Sequence, residues 1–572
     1  MDDNKGFYKK IMVFLKPFIR EQLLTLVCII LGSAVSLQYP LIIKIIVDDV
    51  LINQNTRMLF TMLVIYILLF LLGFLFTFLT QFMNSLSTQL FAFNVKKQLF
   101  LKFQRMPLSV LNKTSMGEIT STYNKDIDNI SRFLSTDLLA IISNILNIIV
   151  VVIIMSFLNL GLTLMVVLVL PFFYLSVLTT RGHLKKSLEK RRELVSHENK
   201  LLQNVFPNIK LVKLFVTQKF FFKKFLILQD GVMDTEIRTA VSTSLLNQLT
   251  GIVYLAGGVT IIWFGANLVF QNQLTIGGLM AFYTYVPLLF TPLRAIVGSS
   301  VQFRGFKIAF SRITKFLDVE SEKDVKDYYR IREGKVDFQN VTFSYNDKMV
   351  LQNANLNIQA REKIAIIGEN GSGKTTLVNL LLKLYPLEQG KILIDNIDIT
   401  KYSNNYLRKN IGIVSQEVNF FNLSLLDNFG LACPKCSERD IIQACQTSGA
   451  YQFISQLPDG LKTMVGERGY NFSGGQLQKM AIARLILKNP PIIVFDEAAS
   501  ALDPESTQAF YRLFTSTFKD RTLIFILHDL KSLSYADRVV LLKDGSIEKE
   551  YSHAEVISDK DLIEKLTIKI AK

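Results

Sequence analysis

The chain predicts two unlike halves: a membrane α-helical bundle of six transmembrane helices with long cytoplasmic extensions, fused to an α/β domain with a mostly parallel sheet. Three observations predict this. The hydrophobic share is 50% in a chain of 572 residues, too long for one core. Six long, almost uncharged stretches occupy residues 23–47, 58–83, 138–158, 161–178, 249–270 and 275–293. From Gly334 onward, short β-branched strands alternate with helices and turns.

Most of the apolar stretches approach or exceed the roughly 20 residues that cross a bilayer as a helix. Buried helices of a soluble protein would not be confined to one half of the chain. The run that follows the polar, basic first twenty residues is too long for a signal peptide, and no small-residue cleavage pattern follows it. The first stretch is therefore expected to stay as a span.

Lys and Arg set the expected orientation. The loop after the second stretch carries Lys96, Lys97, Lys102, Arg105, Lys113 and Lys125, and that after the fourth carries Arg181, Lys185, Lys186, Lys190, Arg191 and Arg192. The connections at 48–57, 159–160 and 271–274 hold only Arg57. The positive-inside rule then places both termini and the second half of the chain in the cytoplasm of a multi-pass protein of the cell membrane. The net charge of +16 is thereby largely a topology signal, and nucleic acid is not needed as a partner. The long loops mix charge with apolar spacing, as in "LVSHENKLLQNVFPNIKLVKLF" (194–215), which suits helices continuing about 30 Å beyond the membrane.

The expected division is residues 1–316 for the membrane half, a charged linker "LDVESEKDVKDYYRIRE" at 317–333, and 334–572 for the α/β half. In the latter, "GENGSGKTT" (368–376) satisfies G-x-x-x-x-G-K-[ST] between the strand "KIAIIG" and the helix "TLVNLLLKL", the context that a phosphate-binding P-loop requires. Gly368, Asn370, Gly371, Ser372 and Gly373 wrap backbone N–H groups around phosphate, and Thr376 follows in the helix. Lys374 supplies a point charge for the β and γ groups, and the Thr375 hydroxyl can ligate Mg²⁺. ATP and Mg²⁺ are the cofactors expected. The strand "PIIVFDEAAS" (491–500) ends in two carboxylates, of which Asp496 is assigned to the metal and Glu497 to the attacking water. In "NFSGGQLQ" (471–478), Ser473, Gly474 and Gly475 open the helix "KMAIARLIL", where unpaired N–H groups and the dipole favour an anion.

With these motifs the chain resembles the ATP-binding cassette family, in particular its six-helix exporter half-transporters of multidrug or peptide type. The resemblance rests on "GENGSGKTT", on Gln416 in "IGIVSQE", on "TMVGERG" (463–469), on "FSGGQ" (472–476, ending in Gln476), on "DEAASALD" (496–503) and on His528 in "TLIFILHDL". It implies that Tyr345 stacks on adenine, that Gln416 reaches Mg²⁺ and water, and that Glu497 is the general base. It further implies that His528 holds the γ-phosphate, that Asp503 communicates between two sites, and that "SGGQ" caps the ATP bound to another copy of the domain. A second copy of the chain is therefore the expected partner, with a homodimer favoured because the key positions carry no inactivating substitution; a heterodimer is the alternative. Phe472, Leu477 and Asp529 depart from the family pattern, the last two at positions that bear on rate.

"NKTSMGEITS" (112–121) and "FPNIKLVKLF" (206–215) resemble the short transverse helices that dock on the cassettes of exporters. The second, fourth, fifth and sixth stretches contain no Asp or Glu, so no carboxylate is offered to a cationic substrate. Lys44 and Arg294 lie near span ends and are expected to snorkel. "CPKC" (433–436) lacks further ligands for zinc, and its thiols are expected to stay reduced in a cytosolic domain. The first span begins near residue 23, so no leader-cleaving domain is expected at the front. The activity expected is ATP-driven export of an amphipathic drug-like compound, peptide or lipid. The alternative is an ATP-gated regulatory or channel-type protein without net pumping.

Overall fold

The computed structural model describes residues 11–558 apart from 12, 13, 15, 323, 326, 327, 347, 467–469, 500, 501, 528–532 and 534. The chain divides into two compact units. The first comprises Met1–Gln104 and Met116–Val319; the second comprises Arg105–Ser115 and Glu320–Lys572.

Among its described residues the first unit is helical apart from short turns. Its main helices are α1 (Ile19–Ser36), α2 (Tyr39–Ile45), α3 (Thr56–Gln104), α4 (Leu138–Leu158), α5 (Leu160–Val205), α6 (Gln218–Phe270) and α7 (Ile276–Asp318). Five segments among the described residues are long and apolar enough to cross a membrane, and Leu160–Ser176 is a shorter apolar stretch at the start of α5. α3, at 49 residues, extends over roughly 70 Å, more than twice the ~30 Å hydrocarbon core. Its most hydrophobic window has no buried residue, and Phe60, Phe74 and Phe78 stand exposed. So large an apolar face is stable only against lipid or another protein surface.

Local chemistry sets the helix ends. Pro40, at the start of α2, cannot donate to the turn before it, so α1 and α2 are separate helices. The Leu37 carbonyl at the break accepts a hydrogen bond from the buried Tyr285 hydroxyl of α7 at 2.7 Å. Around that bond pack Val151, Met155, Val166, Ile261, Phe282 and Phe290. The Asn159 side chain caps α5, accepting from Leu162 N at 3.0 Å.

The opposite end of the first span is tied to α7 as well. Asp48 lies in a π-helical turn (Ile46–Leu51); its carboxylate accepts from Thr275 Oγ1 at 2.5 Å and from Gly277 N at 2.8 Å. A Cβ at Gly277 would fall 2.5 Å from the Lys44 carbonyl oxygen, so glycine is what lets the backbones meet. Lys44 itself reaches Asp48 at 3.9 Å, and Arg294 donates to Asn247 Oδ1 at 3.2 Å. Both basic residues thus have polar partners within their own unit.

The second unit carries two sheets. Strands β1 (Val336–Tyr345), β2 (Lys348–Ile358), β4 (Gln389–Ile394) and β5 (Ile397–Asp398) form an antiparallel sheet in the order β2-β1-β4-β5. The other has the order β10-β9-β3-β8-β7-β6, from β3 (Lys363–Ile367), β6 (Ile411–Val414), β7 (Ile492–Asp496), β8 (Thr522–Ile526), β9 (Arg538–Lys543) and β10 (Ser546–Ser552). All its pairings are parallel except β10 with β9. Alternate residues of β3 feed two cores: Ile364 and Ile366 pack with Leu377 and Val494, whereas Ala365 and Ile367 pack with Phe495 and Phe525. β7 and β8 are buried at every position, as a sheet covered on both faces requires.

The longer helices of the unit are α8 (Lys374–Leu381), α9 (Asn404–Asn410), α10 (Glu438–Thr447), α11 (Gly474–Lys488) and α12 (Pro504–Arg512). α10 and α11 share a core containing Ile441, Cys445, Met480 and Ala483. Cys433 and Cys436 are joined by a disulfide, which corrects the expectation of reduced thiols there. The turn closed by Cys436 N on Cys433 O at 3.1 Å brings the two Cα atoms to 5.4 Å, within the span of a disulfide. No metal-ligand cluster occurs among the described residues. Burial pushes the Cys445 thiol up to about 12.

A single carboxylate organises the start of the second unit's sheet. Asp395 accepts from the backbone N–H groups of Arg332, Glu333, Gly334 and Lys335 at 2.6–3.1 Å. Asp395→Ala is expected to destabilise this turn by about 1–3 kcal/mol. Hydrogen exchange should then accelerate at residues 332–335 while β7 and β8 stay protected; unchanged exchange at 332–335 would contradict the assignment.

Candidate functional site

Parallel strands present their carboxyl ends along one edge of the sheet, the place where open α/β folds bind ligands. β3 leads into the loop 368–373, β7 ends in Asp496, and β6 leads to Gln416. β8, between β3 and β7, leads toward His528, which lies outside the described residues, as do Asp529 and residues 467–469 of "TMVGERG".

The loop is shaped by close backbone packing. Gly371 and Gly373 have φ of +81° and +107°. A Cβ at Gly373 would approach Leu351 Cδ2 to 2.7 Å. α8 therefore starts at Lys374 with its N–H groups turned into the loop. Lys374 is 6% exposed, and its ammonium donates to the carbonyls of Gly368 and Glu369 at 2.8 and 2.9 Å. Burial pushes it below the ordinary lysine range, against the opposing pull of Glu497 and Asp496. Ser372 Oγ is buried without a hydrogen-bond partner, and Thr376 is buried in the first turn of α8. Asn370 is exposed at the loop surface. An orphaned hydroxyl and a desolvated cation in a ring of backbone donors fit a polyphosphate.

Across the loop, Thr375 Oγ1 donates to Asp496 Oδ2 at 3.4 Å. A hydroxyl and a carboxylate so placed fit Mg²⁺, which keeps waters and substrate oxygens for its other positions. Glu497 is held at φ +52°, its N–H donating to Ile526 O at 3.1 Å. That conformation costs about 1–3 kcal/mol for a residue other than glycine. Its carboxylate accepts from Gln416 Nε2 at 2.7 Å. Tyr345 closes β1; its hydroxyl accepts from Asn379 Nδ2 of α8 at 3.2 Å, and its ring meets Tyr385 edge-on with centroids 5.0 Å apart. Asn379 was not legible as a site residue, although it lies one helical turn beyond Thr375.

Ser473 and its neighbours form a different place. Ser473 caps α11 in a reciprocal box: Gln476 N donates to Ser473 Oγ at 3.3 Å and Ser473 N to Gln476 Oε1 at 2.9 Å. Ser473, Gly474, Gly475 and Gln476 line a hollow of about 590 Å³ with Lys479 and Asp503, and no residue of the 368–376 loop lines it. Asp503 caps α12, and the bonds from Ser506 hold its carboxyl below the usual range. Phe472 packs on Tyr470 and Phe453, and Leu477 packs against the core shared by α10 and α11, which gives both departures an apolar role.

Residues 23–293 match the family described as ABC transporter transmembrane region, and residues 351–500 match the ABC transporter family. The YgaD protein of Bacillus subtilis (strain 168), provisionally named a multidrug export ATP-binding/permease protein, is 30% identical over 96% of this chain and 97% of its own length. The chain belongs to the ABC transporter family. A similarly named protein of Staphylococcus aureus (strain Mu50) is 30% identical over 98% of this chain and 99% of its own. The solved structure of a bacterial Atm1-family ABC exporter with ATP bound superposes with a TM-score of 0.83 at 26% identity, over 96% of this chain and 98% of that one. This ABC transporter is thus an exporter-type half-transporter, with one membrane half and one ATP-hydrolysing half in a single chain.

Burial of Lys374 predicts that ATP binding is proton-linked. Polyphosphate raises the ammonium's affinity for its proton, so binding in alkaline buffer should take up protons from solution. Calorimetry in two buffers of contrasting ionisation heat should give unequal binding heats, and equal heats would refute it. Gly373→Ala should abolish binding of a fluorescent ATP analogue while the thermal unfolding of the chain stays cooperative.

Proposed function

We propose that two copies of this chain, embedded in the cell membrane with termini and ATP-binding halves in the cytoplasm, share two composite ATP sites and export an amphipathic drug-like, peptide or lipid substrate by alternating access. The proposed membrane half is 1–316, the linker 317–333 and the cassette 334–572. One observation carries this reading. The residues suited to polyphosphate and metal gather at the strand ends, whereas the capped helix with Ser473 and Asp503 lines a separate hollow. Each is half of an anion site, and head-to-tail pairing would complete both.

Within each composite site Tyr345 stacks on adenine, and the 368–376 loop with Lys374 holds the β and γ phosphates. Thr375, Asp496 and Gln416 would hold Mg²⁺, which when bound neutralises charge on the β and γ oxygens. Glu497 takes the proton of the attacking water, oriented by Gln416, and His528 holds the γ-phosphate. The partner's "SGGQ" caps that phosphate from the other side, with the Ser473 hydroxyl and the α11 N-terminus as donors. Asp503 connects the two sites.

A second exposed surface supports the pairing. The short helix Ile209–Leu214 between α5 and α6 buries only Val212, leaving Phe206, Leu214, Phe215 and Val216 exposed. An apolar tip of this kind suits a groove on a partner's cassette. The names of the relatives support drug-like cargo.

Glu497→Gln should preserve ATP binding, lower hydrolysis by about 10²–10⁴-fold and stop transport in proteoliposomes. The composite arrangement has a sharper test in mixed dimers. Lys374→Ala and Ser473→Arg chains should each be inactive alone. Together they place both lesions in one site and restore the other, so hydrolysis should return. Recovery failing in verified mixed dimers would mean that each site is built within one chain.

A further inference from the structure

The second unit includes a short piece of the chain from between α3 and Met116, and the contacts of that piece converge on the linker. The helix behind the phosphate loop, α8, ends with Leu384 N bonded to Asn379 O and Lys383 at φ +51°, which leaves the carbonyls of Leu382 and Lys383 turned outward. Arg408 of α9 satisfies both, donating from Nε to Leu382 O at 3.2 Å and from Nη2 to Lys383 O at 2.9 Å. Its remaining arm, Nη1, donates to Glu322 Oε2 at 2.7 Å. One rigid guanidinium fork thus joins the phosphate-loop helix to a linker carboxylate.

Glu322 is held from two further directions. Its N–H donates to Arg105 O at 2.8 Å, and Asn404 Nδ2 donates to its carboxylate at 3.2 Å. Asn404 N in turn donates to Asp324 Oδ1 at 2.8 Å. Beside this knot, Asn112 Nδ2 donates to the Tyr385 hydroxyl at 2.8 Å, and Tyr385 is the ring packed against Tyr345. The stretch 382–385 therefore touches the proposed adenine-stacking tyrosine and Asn112 directly, and reaches the linker through Arg408. The Glu322 and Arg408 side chains are 20% and 32% exposed, enough burial to set their geometry.

We infer that Glu322 is a positioning residue through which the linker reads nucleotide occupancy at the phosphate-loop helix, so that the chain following α7 and the chain following α3 move together when ATP binds. This rests on the exporter reading and adds to it a route through the linker. The bonds form a continuous path: phosphate loop, α8, Arg408, Glu322, Arg105. A displacement of α8 relative to α9 loosens the fork, and Glu322 transfers it to both strands of the path. Lys383 lies beside the same knot: its ammonium donates to Tyr402 O at 3.0 Å, and the charges of Asp324 and Glu322 act on it.

The test uses the full-length dimer in proteoliposomes, with a nitroxide amino acid at residue 272, in the turn between α6 and α7. Pulsed spin resonance reads the distance between the two labels with and without Mg-ATP. Glu322→Gln keeps the shape and loses the charge. It should hold hydrolysis within about twofold while lowering the ratio of shifted to unshifted molecules by about fivefold or more. Glu322→Asp should recover part of the shift, and Glu333→Gln, a nearby linker acid outside the knot, should match the unaltered chain. Arg408→Lys, which keeps the charge and loses the fork, should uncouple as Glu322→Gln does, with no further loss in the double variant. A full shift in both single variants would overturn the inference, as would an equal loss in Glu333→Gln. If the unaltered chain shows no ATP-driven shift, the exporter reading itself fails.

Discussion

A buried ammonium held by two carbonyls is the interaction from which the rest of the second unit takes its arrangement. Lys374 lies beneath the loop with two of its three N–H donors on Gly368 and Glu369, and burial works against its charge. Such a group is stable only where anionic partners are close or about to be. Asp496 and Glu497 on the neighbouring β7 provide part of that field. In the proposed site, the phosphates of ATP would provide the remainder.

The same constraint explains the division of labour around the sheet. Groups that bind charge strongly sit on short turns directly after buried strands, where the backbone has few alternatives. Glu497 retains a left-handed backbone there, a cost accepted because Ile526 and Gln416 fix its two ends. Ser473 sits instead at the capped end of α11, whose Met480 and Ala483 pack with α10 while Ala481, Ile482 and Leu485 pack on the sheet. In the proposed pairing, a ligand held between the strand ends of one copy and the capped helix of another would convert occupancy into a change of association, because neither alone surrounds it.

Much of this was readable before any coordinates. The phosphate loop, the paired carboxylates after β7 and the cap at Ser473 are local patterns whose chemistry lies within a few consecutive residues. The six apolar runs were equally plain, since membrane thickness imposes their length. Other features depend on residues far apart in the chain. Asp48 meets Thr275 and Gly277 across more than two hundred positions, and nothing in "VDDV" announces it. The joining of Arg408 to Glu322 and the bond of Asn112 to Tyr385 are hidden for the same reason. The disulfide of "CPKC" went against a reading based on compartment, because the turn geometry brings the sulfurs together whatever the surroundings.

The clasp at Asp48 has a consequence for how the bundle can part. Two polar contacts and a glycine with no room for a methyl hold the far end of the first span against the beginning of α7. Those two segments behave as a single stave there. In the proposed export cycle, a breach that releases cargo would therefore open along a different seam of the bundle, with this pair swinging as one leaf.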